Sequence, residues 1–164
     1  MRQRIDTFPA PDVPTKAGTQ ATTEETCWSS FGTALVIDDE ELIREVASMM
    51  LEDYGFSVLT ACDGIDGIEL FQQHKDIISL VLLDMTMPKM DGVSCFAALH
   101  EIKSDTPVLV SSGYCEEETA LLFPDKSLAG FIQKPYSASD FEITIQRIIK
   151  HPPQRGKFHH PCII

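Results

Sequence analysis

The sequence predicts an α/β protein, a parallel five-stranded sheet covered by helices on both faces. Three observations carry that prediction. Strand-like and helix-like segments alternate five times from Thr33 onward, the pattern of a parallel sheet with right-handed crossovers. The central strands, Ala34-Leu35-Val36-Ile37 and Leu80-Val81-Leu82-Leu83, are almost wholly apolar, as strands buried on both faces must be. Polar residues that could do chemistry follow these runs directly, at the carboxyl edge where such sheets place their sites.

The first strand is read at 33–37 and the first helix at about 41–53, where Leu42, Val46, Met49 and Met50 recur at helical spacing. Gly55 stands just past its end, the usual place for a helix-stopping glycine. The second strand is 57–61 and the second helix 64–74, with Asp63 as N-cap. The third pair is 79–83 and 91–103, and the fourth 107–111 and 115–122. The fifth is 130–133 and 137–150, capped by Ser137, with Phe141, Ile145, Ile148 and Ile149 on one side. Residues 1–32 read as a linker or disordered arm: Pro9, Pro11 and Pro14 precede a Thr-rich polar stretch. Trp28 and Phe31 are candidates to dock on the domain. Residues 151–164 form a C-terminal tail. The paired His159 and His160 in it read as solvated side chains.

Composition narrows the function. An apolar content of 43% supports a real core. No run approaches the roughly 18 apolar residues needed to cross a bilayer, and no apolar segment follows the basic start at Met1-Arg2. A cytoplasmic protein without direct membrane contact is expected. A net charge of −12 repels a phosphate backbone, so no nucleic-acid partner is expected. The five cysteines are odd in number and form no CxxC pair, which predicts free thiols. Cys62 and Cys95 are expected to behave as small, partly buried apolar residues.

The candidate chemistry lies at the strand ends. Asp38-Asp39 follows the first strand, Asp84 the third, Ser111-Ser112 the fourth, and Lys134-Pro135 the fifth. Carboxylates brought together must share protons or hold a cation. Three acids beside one lysine suit phosphoryl transfer assisted by Mg²⁺, which prefers carboxylate, carbonyl and water oxygens. In this reading Asp84 is the nucleophile, and Asp38, Asp39, Asp84 and the backbone carbonyl of Thr86 hold the metal. Lys134 contacts a phosphoryl oxygen and pairs with Asp84 beforehand. Ser112 offers a neutral donor to another oxygen. Each piece has a bland reading on its own. An Asp-Asp pair is commonly a helix N-terminal charge cluster, with Asp39 as the cap, and Ser-Ser-Gly is commonly a turn. Their order, each after a different strand, is what makes the pattern specific.

The motifs Val36-Ile37-Asp38-Asp39-Glu40, Leu82-Leu83-Asp84-Met85-Thr86-Met87-Pro88 with Met90-Asp91-Gly92, Val110-Ser111-Ser112-Gly113-Tyr114 and Phe131-Ile132-Gln133-Lys134-Pro135 resemble a response-regulator receiver domain of two-component signalling. The resemblance covers 33–150, and the spacings between motifs fit as well. It implies a doubly wound, flavodoxin-like (βα)5 three-layer sandwich with strand order 2-1-3-4-5. It implies a signalling phosphoacceptor rather than a metabolic enzyme, taking a phosphoryl group onto Asp84 from a phosphohistidine. The donor would be a histidine kinase dimerisation/phosphotransfer domain or a histidine-phosphotransfer (Hpt) protein. It also implies a switch formed by Ser112 and Phe131, and a receiver dimer as a further expectation. Phe131 lacks the hydroxyl of the tyrosine many receivers carry there, and Gly113 stands where many have alanine. The wording around Ser111–Tyr114 and Leu128–Tyr136 is similar to carboxyl-terminal receivers of hybrid sensor histidine kinases. Arg4-Ile5 and Phe8-Pro9 weakly resemble the last strand of a kinase ATP-binding domain.

Three rival readings fit these residues less well. A haloacid-dehalogenase-like phosphatase also uses a strand-end aspartate and Mg²⁺, but it needs a second aspartate where Thr86 stands. A degenerate receiver used only for docking is at odds with the intact acids and Lys134. A flavodoxin would need a phosphate-cradling loop where Asp38-Asp39 sits.

Overall fold

The computed structural model describes residues 31–123 and 128–150. The Thr-rich arm, Trp28, the C-terminal tail and its histidines lie outside them. Ten elements alternate: β1 (Thr33–Ile37), α1 (Glu41–Asp53), β2 (Ser57–Ala61), α2 (Gly64–His74), β3 (Ile78–Asp84), α3 (Gly92–Ile102), β4 (Val108–Ser112), α4 (Glu116–Leu121), β5 (Gly130–Gln133) and α5 (Ala138–Lys150). All strand pairs are parallel, and the sheet order is β2-β1-β3-β4-β5. This is the expected doubly wound sandwich. The strand order reverses between β1 and β3, so a crevice opens beyond their carboxyl ends.

Two cores follow from strand alternation. Ala34, Val36, Leu80, Leu82, Leu109 and Ile132 point to the side where Leu51 of α1 and Phe141, Ile145 and Ile148 of α5 pack. Leu35, Ile37, Val81, Leu83 and Val110 point to the other, against Phe71 of α2 and Phe96 and Leu99 of α3. The same parity carries Asp38, Asp84, Ser111 and Lys134 to the α1/α5 side of the sheet edge. Ser112 belongs to the opposite side.

The predicted caps form. Asp63 accepts from the amides of Ile65 and Asp66; Asp91, not among the predicted caps, likewise accepts from that of Ser94. Ser137 and Asp140 cap α5 reciprocally, a capping-box arrangement with aspartate at the third position. Gly55 has φ +88°, the left-handed turn that ends α1. Three readings change. The face of α1 defined by Leu42, Val46 and Met49 is exposed, and Ala47 and Leu51 are the buried residues instead. Ala47 and Leu51 face the sheet with Met50 packed at the edge of that core, while Leu42, Val46 and Met49 face outward. The N-cap of α1 is Glu40, without a side-chain bond, so Asp39 is not the cap. Cys62 is exposed, whereas Cys95 is fully buried, and burial, with the charges of Asp63 and Asp91, pushes its thiol up to about 12. Phe31 docks on the domain, its ring 5.6 Å from that of Phe56.

Candidate functional site

Asp38 continues β1 by one residue and Asp84 closes β3. The register Ile37↔Leu83 sets these acids side by side. Both are buried, while Asp39, one residue on, is exposed. One carboxylate oxygen from each of Asp38, Asp39 and Asp84 can lie within 4.8 Å of the others.

Such a cluster is unstable without positive charge, and the chain supplies it from β5. The Lys134 ammonium lies 2.7 Å from Asp38 Oδ2 and 3.1 Å from Asp84 Oδ1. Its expected partner Asp84 is therefore shared with Asp38, and the contact to Asp38 is the shorter. The lysine is carried there by a backbone bond from its amide to the Ser112 carbonyl (2.7 Å); the Lys134–Pro135 peptide that follows is cis. Asp38 Oδ1 accepts from the Glu40 amide at 2.9 Å. Arg44 of α1 donates to the Asp38 carbonyl at 2.7 Å, bringing a second cation to the acid cluster. Sequence reasoning missed Arg44. Its signal was a basic residue one helical turn into α1, three positions past the acidic run Asp38–Glu41.

The electrostatics follow from burial and neighbours. Burial pushes the Asp84 carboxyl above its ordinary value, Lys134 opposes the rise, and Asp38 adds to it. The Thr86 amide also donates to Asp84, favouring its charged form. Burial pulls Lys134 down, but the hydrogen bonds and charges of Asp38 and Asp84 more than reverse this and leave it raised.

The loop after Asp84 returns tightly. Gly92 donates to the Met85 carbonyl at 3.0 Å. A Cβ on Gly92 would sit 2.6 Å from the Asp84 carbonyl oxygen, so glycine is required at this close approach. Ser112 is fully buried, and its hydroxyl accepts from the Tyr114 amide at 3.1 Å. Gly113 has open space where a Cβ would stand. Phe131 is half-buried against the α2/α3 core. With Cys115, Lys134, Ile143 and Arg147 it lines a cleft of about 680 Å³ between α4, β5 and α5. The structure thus brings Asp38, Asp39, Asp84 and Lys134 together. Ser112 and Phe131 lie on the other side of the same sheet edge.

Residues 34–146 match the response regulator receiver domain. The chain belongs to that family. It is a CheY-like receiver domain of two-component signalling, and the phosphatase and flavodoxin alternatives fall with that assignment. The sensor kinase CckA of Brucella abortus is 27% identical over 141 residues, covering 86% of this chain and 15% of the kinase. The probable transcriptional regulator ycf27 of Cyanidium caldarium is 31% identical over 124 residues, 74% of this chain and 48% of that protein. The chain therefore spans half or less of these curated relatives. Among solved structures, a response regulator receiver domain protein from Clostridium thermocellum superposes with a TM-score of 0.66 at 30% identity, covering 73% of this chain and 95% of that one. The CheX–CheY–BeF3–Mg²⁺ complex from Borrelia burgdorferi gives a TM-score of 0.68 at 26% identity, covering 72% and 89%. Among the described residues, no helix is long and apolar enough to cross a membrane.

Proposed function

We propose that Asp84 accepts a phosphoryl group from a phosphohistidine, and that residues 33–150 form the domain that does so. The observation that carries this reading is the Lys134 ammonium bridging Asp38 and Asp84 at the mouth of the sheet. An Asp84 oxygen forms the new bond to phosphorus while the phosphorus–nitrogen bond of the donor breaks. The imidazole leaves with that electron pair. Burial strips water from the Asp84 carboxylate and raises its basicity, which favours nucleophilic attack.

The converging oxygens of Asp38, Asp39 and Asp84 fit a hard divalent cation such as Mg²⁺, with the Thr86 carbonyl as a further ligand. Bound there, Mg²⁺ supplies charge neutralisation between the carboxylate and the incoming phosphoryl oxygens. Lys134 then turns from the carboxylates to a phosphoryl oxygen. Ser112 uses its oxygen to accept from Tyr114, so its hydroxyl hydrogen remains free to donate to another phosphoryl oxygen. Movement of Ser112 opens room towards which Phe131 can turn, and the α4–β5–α5 surface reads out the change as a population shift.

The donor in this proposal is a histidine kinase phosphotransfer domain or an Hpt protein, in the cytoplasm. Of a receiver within a hybrid kinase and a stand-alone receiver, we favour the first. The similarity to the sensor kinase supports that placement, because its 141 aligned residues are more than 33–150 can supply. Acetyl phosphate with Mg²⁺, followed by intact mass measurement, should add one phosphoryl group. Asp84→Asn should add none; labelling of that variant at the wild-type level would refute the assignment.

A further inference from the structure

The loop from Asp84 to Gly92 carries Thr86, and its tip is tied to a different part of the fold. Among the described residues, Lys89 is the one non-glycine residue with a left-handed backbone, φ 68°. That conformation suits glycine and is unfavourable for a side chain. Something must offset it, and the ammonium of Lys89 makes the contact that can. It forms an ion pair and hydrogen bond with Asp63 Oδ2. Asp63 is itself held, because its Oδ1 accepts from the amides of Ile65 and Asp66, each at 3.0 Å. Asp66 and Cys62 also face the Lys89 ammonium.

The partner is rigidly seated. Asp63 starts α2, and Gly67 of α2 lies so close to β1 that a Cβ there would sit 2.5 Å from Ile37 Cδ1. Ile37 is the residue before Asp38. Met90, next to Lys89, packs closely on Gly64, 3.1 Å from where a Cβ would stand. The tip of the loop is thereby referenced to the strand that carries Asp38 and Asp39. Its base is fixed at Met85 and Gly92, with Met90 donating to the Pro88 carbonyl at 2.8 Å. Thr86 lies between base and tip.

We propose that Lys89, through Asp63, is a positioning residue that holds the Thr86 backbone in place for the cation bound by Asp38, Asp39 and Asp84. The inference rests on the metal-binding reading above. A purely structural ion pair with Lys89 63% exposed would matter little to stability and not at all to the metal.

The test separates these effects. Mg²⁺ is titrated into the full chain and followed by the amide NMR shifts of Asp84 and Thr86, with thermal unfolding measured in parallel. Lys89→Gly should keep or raise the unfolding temperature, because glycine suits the left-handed backbone. Its Mg²⁺ affinity should nevertheless fall by about tenfold, the scale of losing a group that orients a ligand. Lys89→Arg should restore affinity to within about twofold, and Asp63→Asn should weaken it as Lys89→Gly does. Labelling of Lys89→Gly by acetyl phosphate should recover at saturating Mg²⁺. Wild-type affinity in folded Lys89→Gly, or affinity in Lys89→Arg as weak as in Lys89→Gly, would overturn the positioning role and leave the metal site standing. Absence of Mg²⁺-dependent shifts in the wild-type chain would instead overturn the metal reading and the latch with it.

Discussion

Around Asp38 and Asp84 the buried charges have counter-charges or amide donors, whereas α4 buries a hydroxyl that has no partner. Lys134, Glu40 and Arg44 converge on the first region. In the second, the Thr119 hydroxyl of α4 is buried without a hydrogen-bond partner. The helix there, α4, is six residues long, has no side-chain N-cap, and buries only Thr119. Leu121 and Leu122 beside it are exposed. Buried charges with their partners in place hold one geometry. A short helix with few buried contacts opens at low free energy. The difference teaches which part of the domain keeps its shape during chemistry and which part can change in response.

Four substitutions and one exchange measurement test this contrast. The largest effect is expected for Lys134→Met, which leaves two buried carboxylates without their cation. Stability should fall by about 2–3 kcal/mol, somewhat below the range for a fully buried pair because Lys134 is partly exposed; urea unfolding at pH 7 measures it. A loss near zero would mean the cluster is not held by Lys134.

Asp84→Asn should move stability the other way, by about +1 kcal/mol at pH 7. The carboxyl of Asp84 is raised by burial and by Asp38, so its ionised form costs the folded state more than the unfolded one. That cost is complete above the folded value and vanishes as pH falls below the ordinary 3.8. The advantage of the variant should therefore disappear between neutral pH and the ordinary carboxylate range. An advantage that persists below pH 3.8 would point to packing rather than charge.

Thr119→Val tests the opposite region. Its hydroxyl is buried without a partner, so replacing it by a methyl should stabilise by up to about 1 kcal/mol. A loss of stability would show that the hydroxyl is answered after all, and the contrast between the two regions would fail. The smallest effect is expected for Leu121→Ala. The side chain is 79% exposed, so stability should change by less than about 0.5 kcal/mol. Native-state hydrogen exchange should show α4 amides opening well before those of β3.

The contrast also separates what was legible from what was not. Asp38, Asp84 and Lys134 were readable because each ends or follows an apolar run, and parallel sheets bring such ends to one edge. The caps at Asp63 and Ser137 were readable because capping depends on a few neighbouring residues. The outward face of α1 was not. Leu42, Val46 and Met49 have helical spacing, but periodicity only says that residues share a side, and the close seat of Ala47 and Leu51 decided which side is buried. Cys62 failed similarly, since composition says how a residue type behaves on average and not where one copy lies.

By itself the sequence determined the alternation of elements, the parallel sheet and the residues at its carboxyl edge. Those depend on local periodicity and on the unfavourable burial of unpaired charge. Tertiary structure alone decided that Lys134 divides itself between Asp38 and Asp84, that Arg44 reaches the Asp38 carbonyl, and that Lys89 ties its loop to Asp63. The residues in these contacts range from six to 96 apart in the chain. Each is chosen by distance and direction in space, which no run of neighbouring residues encodes.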